Sequence, residues 1–206
     1  MTGAPGEQPG RGAGQSRARL LRRALVGGGA LVAGGGAVGG LARLASSAPS
    51  AAQDARILNF VLELEYLENA FYAEARSRGA LTGELRRFAN VVGGHERKHV
   101  DFLKNALGGQ AAAEPTFDFG DSTRDADRFV ATAIELEDLS VAAYNGQATN
   151  LTPETLAAAA RIVSVEARHA AWIRDIGGKP PAADATDTPK TEGQVRAAIQ
   201  NLGFVT

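Results

Sequence analysis

The chain has 206 residues, 44% of them hydrophobic, with three His and no Cys. That is enough for one domain with a real core plus tails, and it excludes disulfides, thiolate metal ligands and iron–sulfur clusters. The formal net charge is −1, but residues 1–52 hold six Arg against one Glu while residues 53–206 hold 16 basic against 22 acidic side chains. An acidic body without a basic groove argues against nucleic-acid binding.

Arg17, Arg19, Arg22 and Arg23 precede eighteen uncharged residues, Ala24 to Leu41, eight of which are Gly. A basic stretch, a weakly apolar stretch and small residues through Ala52 follow the order of an export signal. The adjacent Arg22-Arg23 resembles the twin-arginine form, although Leu21 stands where Ser or Thr is usual and Leu25 where Phe is usual. Residues 1–52 are therefore expected to deliver the protein to the periplasm or the exterior, with cleavage near Ser47 or Ala52. A Gly-rich tail is the alternative, and a membrane tether the outcome if the segment is not cleaved. Contact with a membrane is expected only through this segment.

From residue 53 to 178 the apolar residues follow a helical period. Ile57, Phe60, Val61, Leu64, Leu67 and Phe71 predict a first helix from about Asp54 to Arg78, ended by Gly79. Thr82-Gly83-Glu84 opens a second, running to Leu107 before Gly108-Gly109. Ser122 or Thr123 opens a third, to about Thr149, and Thr152-Pro153-Glu154 a fourth, to Gly177-Gly178. The first and last joins are short and make antiparallel neighbours. The middle one, about fifteen residues with Pro115, Phe117 and Phe119, is long enough to climb back along a helix at roughly 3.3 Å per residue. The expectation is an all-α four-helix bundle with one long crossover between helices 2 and 3. Residues 179–206 form a tail in which Val195, Ile199 and Leu202 keep helical spacing, suited either to the bundle or to a second subunit.

Two motifs recur. Glu-Leu-Glu-x-Leu-x-x-Ala-x-Tyr at Glu63 to Tyr72 returns at Glu135 to Tyr144, and Glu-x-x-His at Glu96/His99 returns at Glu166/His169. Residues three apart share a helix face, so each Glu-x-x-His aims a carboxylate and an imidazole at one point. Counted from a turn near residue 80, Glu65 lies 15 residues back and Glu96 lies 16 forward; from a turn near 151, Glu137 lies 14 back and Glu166 lies 15 forward. Both hairpins thus bring their acids to mid-bundle. Glu65, Glu96, His99, Glu137, Glu166 and His169 form the donor set of carboxylate-rich di-iron and di-manganese bundles. Four buried carboxylates need cations, and two divalent ions balance them.

Glu63 and Glu135 also recur, but two residues turn a helix by about 200°, so only one Glu of each pair faces inward; we take Glu65 and Glu137, as bridging or terminal carboxylates. Glu68, one turn on, is a rival ligand or a neighbour of the ligands, and its repeat counterpart is Ser140. Tyr72 and Tyr144 are placed to hydrogen-bond ligand carboxylates, with a buried core role equally open. Trp172 and Phe102, at equivalent positions after the two Glu-x-x-His motifs, are expected in the core. His95 has Val165 as its counterpart and is expected at the surface or beside the ligands. His95-Glu96-Arg97-Lys98-His99 also spells the H-E-x-x-H zinc-peptidase motif. That reading lacks a third ligand and leaves the second Glu-x-x-His unexplained.

The run Ile57-Leu58-Asn59-Phe60 through Leu64-Glu65-Tyr66-Leu67-Glu68 to Phe71-Tyr72, with both Glu-x-x-His helices, resembles the exported ferritin-like domain family related to plant desiccation-associated proteins. More distantly it is similar to bacterioferritin and rubrerythrin. The resemblance covers residues 54–178 and implies a centre of two irons, or manganese, that reacts with oxygen or peroxide as an oxidase or peroxidase in iron handling or stress protection. Iron binding without turnover and a metal-free structural bundle are the other readings.

Overall fold

The computed structural model describes residues 48–206; the export-signal expectation for residues 1–52 lies almost wholly outside them. Among the described residues five α-helices follow in order: α1 (Ala51–Arg78), α2 (Gly83–Leu107), α3 (Ala126–Gln147), α4 (Pro153–Ile176) and α5 (Glu192–Leu202). Ser50 caps α1 by accepting from the Gln53 amide, and Gly79 ends it with φ 69°, a left-handed conformation that costs glycine nothing. α4 starts with Pro at its first turn, as expected.

The third helix begins later than the sequence suggests. Residues Gly120–Thr123 form a 3-10 turn, and the α-helix starts after Asp125, whose carboxylate accepts from the Arg128 amide. The Asp cap outcompetes Ser122 and Thr123, and Thr123 instead gives its hydroxyl to Glu74 of α1 at 2.7 Å. A second correction concerns Phe102, which is 36% exposed instead of lying in the core. Trp172 is half-buried, its ring edge-on to Phe88 and its N–H donated to Glu84.

α1 and α2 form one antiparallel hairpin, α3 and α4 the other, and α1 faces α3 while α2 faces α4. The crossover climbs α1 from its first half to its last. Asn59 bonds the Gln110 carbonyl and the Ala112 amide, Tyr66 bonds the Ala112 carbonyl, and Thr123 reaches Glu74. On the way Phe119 packs edge-on against Phe71 and Phe204. The crossover is pinned from outside by a one-pair bridge between Phe117 and Val205.

The tail helix α5 packs on the bundle. Its Thr191/Gln194 capping box fixes its start, Val195 and Ile199 are buried, and Arg196 pairs with Glu63 at 2.6 Å. Crossover and tail together cover the outer side of α1, which is why Leu62 and Tyr66 are buried along with its inward residues.

Two close approaches need glycine. At Gly93 a Cβ would fall 2.8 Å from the Cβ of Tyr72, so α2 touches α1 one turn before Glu96. At Gly146 a Cβ would lie 1.8 Å from the Lys190 carbonyl oxygen, where the tail crosses α3 and the Lys190 amide donates to the Ala142 carbonyl. At one end of the bundle, buried Asp54 of α1 accepts from the Thr152 amide and the Thr152 and Thr155 hydroxyls, capping α4 from the other hairpin. No described helix is long and apolar enough to cross a membrane.

Candidate metal centre

α1, α2, α3 and α4 each send one carboxylate to the same buried point, and α2 and α4 each add an imidazole. Glu65, Glu96, Glu137 and Glu166 are fully buried, and His99 and His169 nearly so. The two imidazoles divide the acids between them. His99 Nδ1 lies 3.3 Å from Glu65 Oε2, 3.0 Å from Glu96 Oε2 and 2.8 Å from Glu166 Oε1. His169 Nδ1 lies 3.1 Å from Glu96 Oε1, 3.4 Å from Glu137 Oε2 and 3.4 Å from Glu166 Oε2. Glu96 and Glu166 therefore turn one oxygen to each side, whereas Glu65 serves only the first side and Glu137 only the second.

The outer oxygens of Glu65 and Glu137 are held crosswise. Tyr144 of α3 donates to Glu65 Oε1 at 2.6 Å, and Tyr72 of α1 donates to Glu137 Oε1. Facing residues of α1 and α3 obey the antiparallel register: Glu65 meets Tyr144, Glu68 meets Ser140, and Tyr72 meets Glu137. Glu68 is a fifth fully buried acid, accepting from the Ser140 hydroxyl at 2.8 Å. Its place opposite its own repeat counterpart puts it near the axis of the duplication.

Burial raises the pKa of Glu68 well above the carboxylate range, and the charges of Glu137, Glu166, Glu96 and Glu65 add to this. Glu137 is pushed up to about 7 by burial, against the nearby His169 imidazole and the bond from Tyr72. Glu96 and Glu166 titrate as a pair. Burial and the Glu166 charge drive Glu96 well up; burial opposes the charge of Glu166 too, but His169 and His99 overcome it and hold Glu166 down to about 2. Burial alone would lower both imidazoles, yet the surrounding carboxylates raise His99 and His169 to about 12.

These contacts leave donor atoms over. Glu65 Oε2, Glu96 Oε1, Glu137 Oε2, both Glu166 oxygens and His169 Nδ1 are buried without an aligned hydrogen-bond partner, as is Glu68 Oε1. The 2.8 Å approach of His99 Nδ1 to Glu166 is thus close without being a directed bond. Two sets of ligand atoms, from Glu65, Glu96, His99 and Glu166 and from Glu96, Glu137, Glu166 and His169, each fall within 4.8 Å of one another. Two hard divalent cations fit this arrangement: the donors are carboxylate oxygen and imidazole nitrogen, and the four acids of the two sets match their charge.

All six residues expected as ligands converge, with Tyr72, Tyr144 and Glu68 against them. Glu135 is exposed and Glu63 is turned to Arg196. His95 stands outside both ligand sets, so it does not pair with His99 as an H-E-x-x-H site requires. Its Nδ1 lies 2.9 Å from Nε2 of His169. The periodicity of α2 leaves that partner open; it becomes visible once α2 and α4 are set antiparallel with Glu96 level with His169. His95, His99 and His169 line a surface groove of about 340 Å³ with Val91, Lys98, Val165, Arg168 and Trp172.

No curated protein matches the sequence. The sequence pattern of the ferritin-like domain family matches residues 53–179, from the first turns of α1 to just past α4. With that match over more than half its length, and the four-helix bundle it describes, the chain belongs to the ferritin-like domain family.

Proposed function

We propose that this chain is an exported ferritin-like protein whose residues Glu65, Glu96, His99, Glu137, Glu166 and His169 hold two irons, with manganese as the alternative pair. The observation that carries this reading is the division of oxygens at Glu96 and Glu166, one to each imidazole, with Glu65 and Glu137 each confined to one side. In this reading Glu96 and Glu166 would be shared between the two ions, and Glu65 and Glu137 would each serve one.

Two ferrous ions bound by these residues would supply electrons to oxygen or peroxide, the chemistry of an oxidase or detoxification site in iron handling or oxidative stress. The protein's own part is to fix geometry and exclude water. Tyr72 and Tyr144 tie down the outer oxygens of Glu137 and Glu65, leaving the inner oxygens to face the imidazoles. Phe88, Val92 and Leu64 are among the fully buried apolar residues of the same helices and keep their interior dry. The groove beside His99 and His169 is the approach for a small oxidant.

The test is metal content of the purified protein beside a Glu96→Ala/Glu166→Ala double variant. About two irons or manganese per chain, lost in the variant, support the reading; no metal with an unchanged fold overturns it and leaves a structural bundle. Rapid mixing of the ferrous protein with peroxide then separates turnover, seen as a fast absorbance change, from binding alone. Export rests on Arg22-Arg23 and the Gly-rich stretch after them. Replacing both arginines by Lys should retain a fused reporter in the cytoplasm, and continued export would refute a twin-arginine signal.

A further inference from the structure

His95 belongs to neither ligand set, yet among the described residues it makes the one directed contact to the outer edge of a ligand imidazole. Its Nδ1 is 2.9 Å from His169 Nε2, and the ring centroids are 5.1 Å apart with planes 17° from parallel. A nitrogen–nitrogen distance so much shorter than the centroid separation means that the rings meet edge to edge in nearly one plane. That is the geometry of an in-plane N–H···N hydrogen bond and not of stacked faces.

The inner nitrogen of His169, Nδ1, faces Glu96, Glu137 and Glu166. When Nδ1 gives its lone pair to a cation, the ring's remaining proton sits on Nε2, and His95 Nδ1 is the acceptor waiting for it. The proton of neutral His95 is then on its own Nε2. A single hydrogen bond thus sets the tautomer of both rings and the orientation of His169.

The duplication does not repeat this device. The residue before Glu96 is His95, and the residue before Glu166 is Val165. Among the described residues no hydrogen bond reaches Nε2 of His99, whose side chain shares the groove with Val165. Apart from Glu68 and its counterpart Ser140, which bond to each other between the halves, the two halves match: each has one imidazole, one private carboxylate held by a Tyr from across the bundle, and the shared pair Glu96 and Glu166.

We infer that His95 is a positioning residue that makes the two cation positions unequal, the Glu137/His169 position being the tighter and first filled. The inference rests on the two-metal reading above and goes beyond it by assigning an order of loading to a residue that touches no ion. An outer hydrogen bond on a metal-bound imidazole is typically worth about 10–100-fold in metal affinity.

The test is titration of the full chain, stripped of metal, with cobalt(II) alone, followed by calorimetry and by proton NMR of the shifted imidazole N–H signals. Native protein should bind two ions in two resolved steps, and the N–H signal appearing in the first step should exchange slowly with solvent. His95→Val, which copies the second half of the repeat, should weaken the first step by about 10–100-fold and bring the two steps together. His95→Gln, whose amide oxygen can accept the same bond, should recover part of the loss. Two ions bound by native protein with affinities and N–H exchange unchanged in His95→Val overturn the inference and spare the two-metal reading. A loss in His95→Val that His95→Gln does not recover at all marks lost packing and also overturns it. Native protein that takes up no ion overturns both.

Discussion

Tyr144 on α3 gives its hydroxyl hydrogen to Oε1 of Glu65 on α1, 2.6 Å away, and α1 returns the contact from Tyr72 to Glu137. Each helix thus supplies an acid to the centre and the clamp for the other helix's acid. Burial pushes both phenols well above their usual range, and the adjacent Glu137 and Glu65 charges push the same way, so both remain donors at any ordinary pH. Tyr144→Phe or Tyr72→Phe should each lower stability by about 1–3 kcal/mol in urea titrations, the cost of a buried carboxylate oxygen left without its donor. Loss of metal affinity should accompany it. A variant as stable as native, binding metal equally well, would show the clamp to be idle.

Metal uptake should expel protons. With His99 and His169 raised to about 12, each imidazole of the stripped protein carries a proton on both nitrogens at neutral pH, and a cation at Nδ1 must displace one of them. The sign follows: affinity rises with pH, by about tenfold per unit for each ion that releases one proton. Calorimetry in buffers of different ionisation enthalpy should count more than two protons for two ions, one from each imidazole and the rest from the raised carboxyls of Glu96 and Glu137. Uptake with no proton released at pH 7 would contradict the imidazoles as ligands.

Asp54 ties the start of α1 to the start of α4. Burial works to raise its pKa, but three hydrogen bonds from Thr152 and Thr155 outweigh that and hold it below the usual aspartate value. A depressed carboxyl stabilises the fold above its unfolded pKa, and the contribution is lost as pH falls through the folded value. Asp54→Ala should therefore cost about 1–3 kcal/mol at pH 7, and the gap to native should shrink below about pH 4. A gap that persists unchanged at pH 2 would mean that the loss is one of packing.

Gly146→Ala should displace the tail, not the centre. The added methyl would meet the Lys190 carbonyl at 1.8 Å, and the backbone there has to move. Overpacking of this kind costs about 1–3 kcal/mol. Limited proteolysis should cut residues 179–191 faster in the variant while metal content stays native; unchanged cleavage would show that the tail does not lie against α3 in solution.

Much of the site is legible before any coordinates, because helical period and hairpin depth are local quantities. Counting from the two turns places Glu65 with Glu96 and Glu137 with Glu166, and the 200° rotation allows only one of Glu63 and Glu65 to face inward. Contacts between hairpins need the second relationship, the antiparallel register of α1 with α3 and of α2 with α4, which no periodicity within one helix contains. That is why the crosswise tyrosine clamps, the Glu68–Ser140 pair and the His95–His169 bond emerge only from the fold. The late start of α3 has a similar origin: Thr123 reads as a cap in isolation, but Glu74 on another helix claims its hydroxyl.

Gly93 contributes no donor atom, yet it governs how near α2 may come to α1. With any side chain there, the contact at Tyr72 would open by some fraction of an ångström, and Glu96, one turn further along α2, would retreat from Glu65. The spacing of these two acids, on which any shared ion would depend, is thus set by a missing carbon.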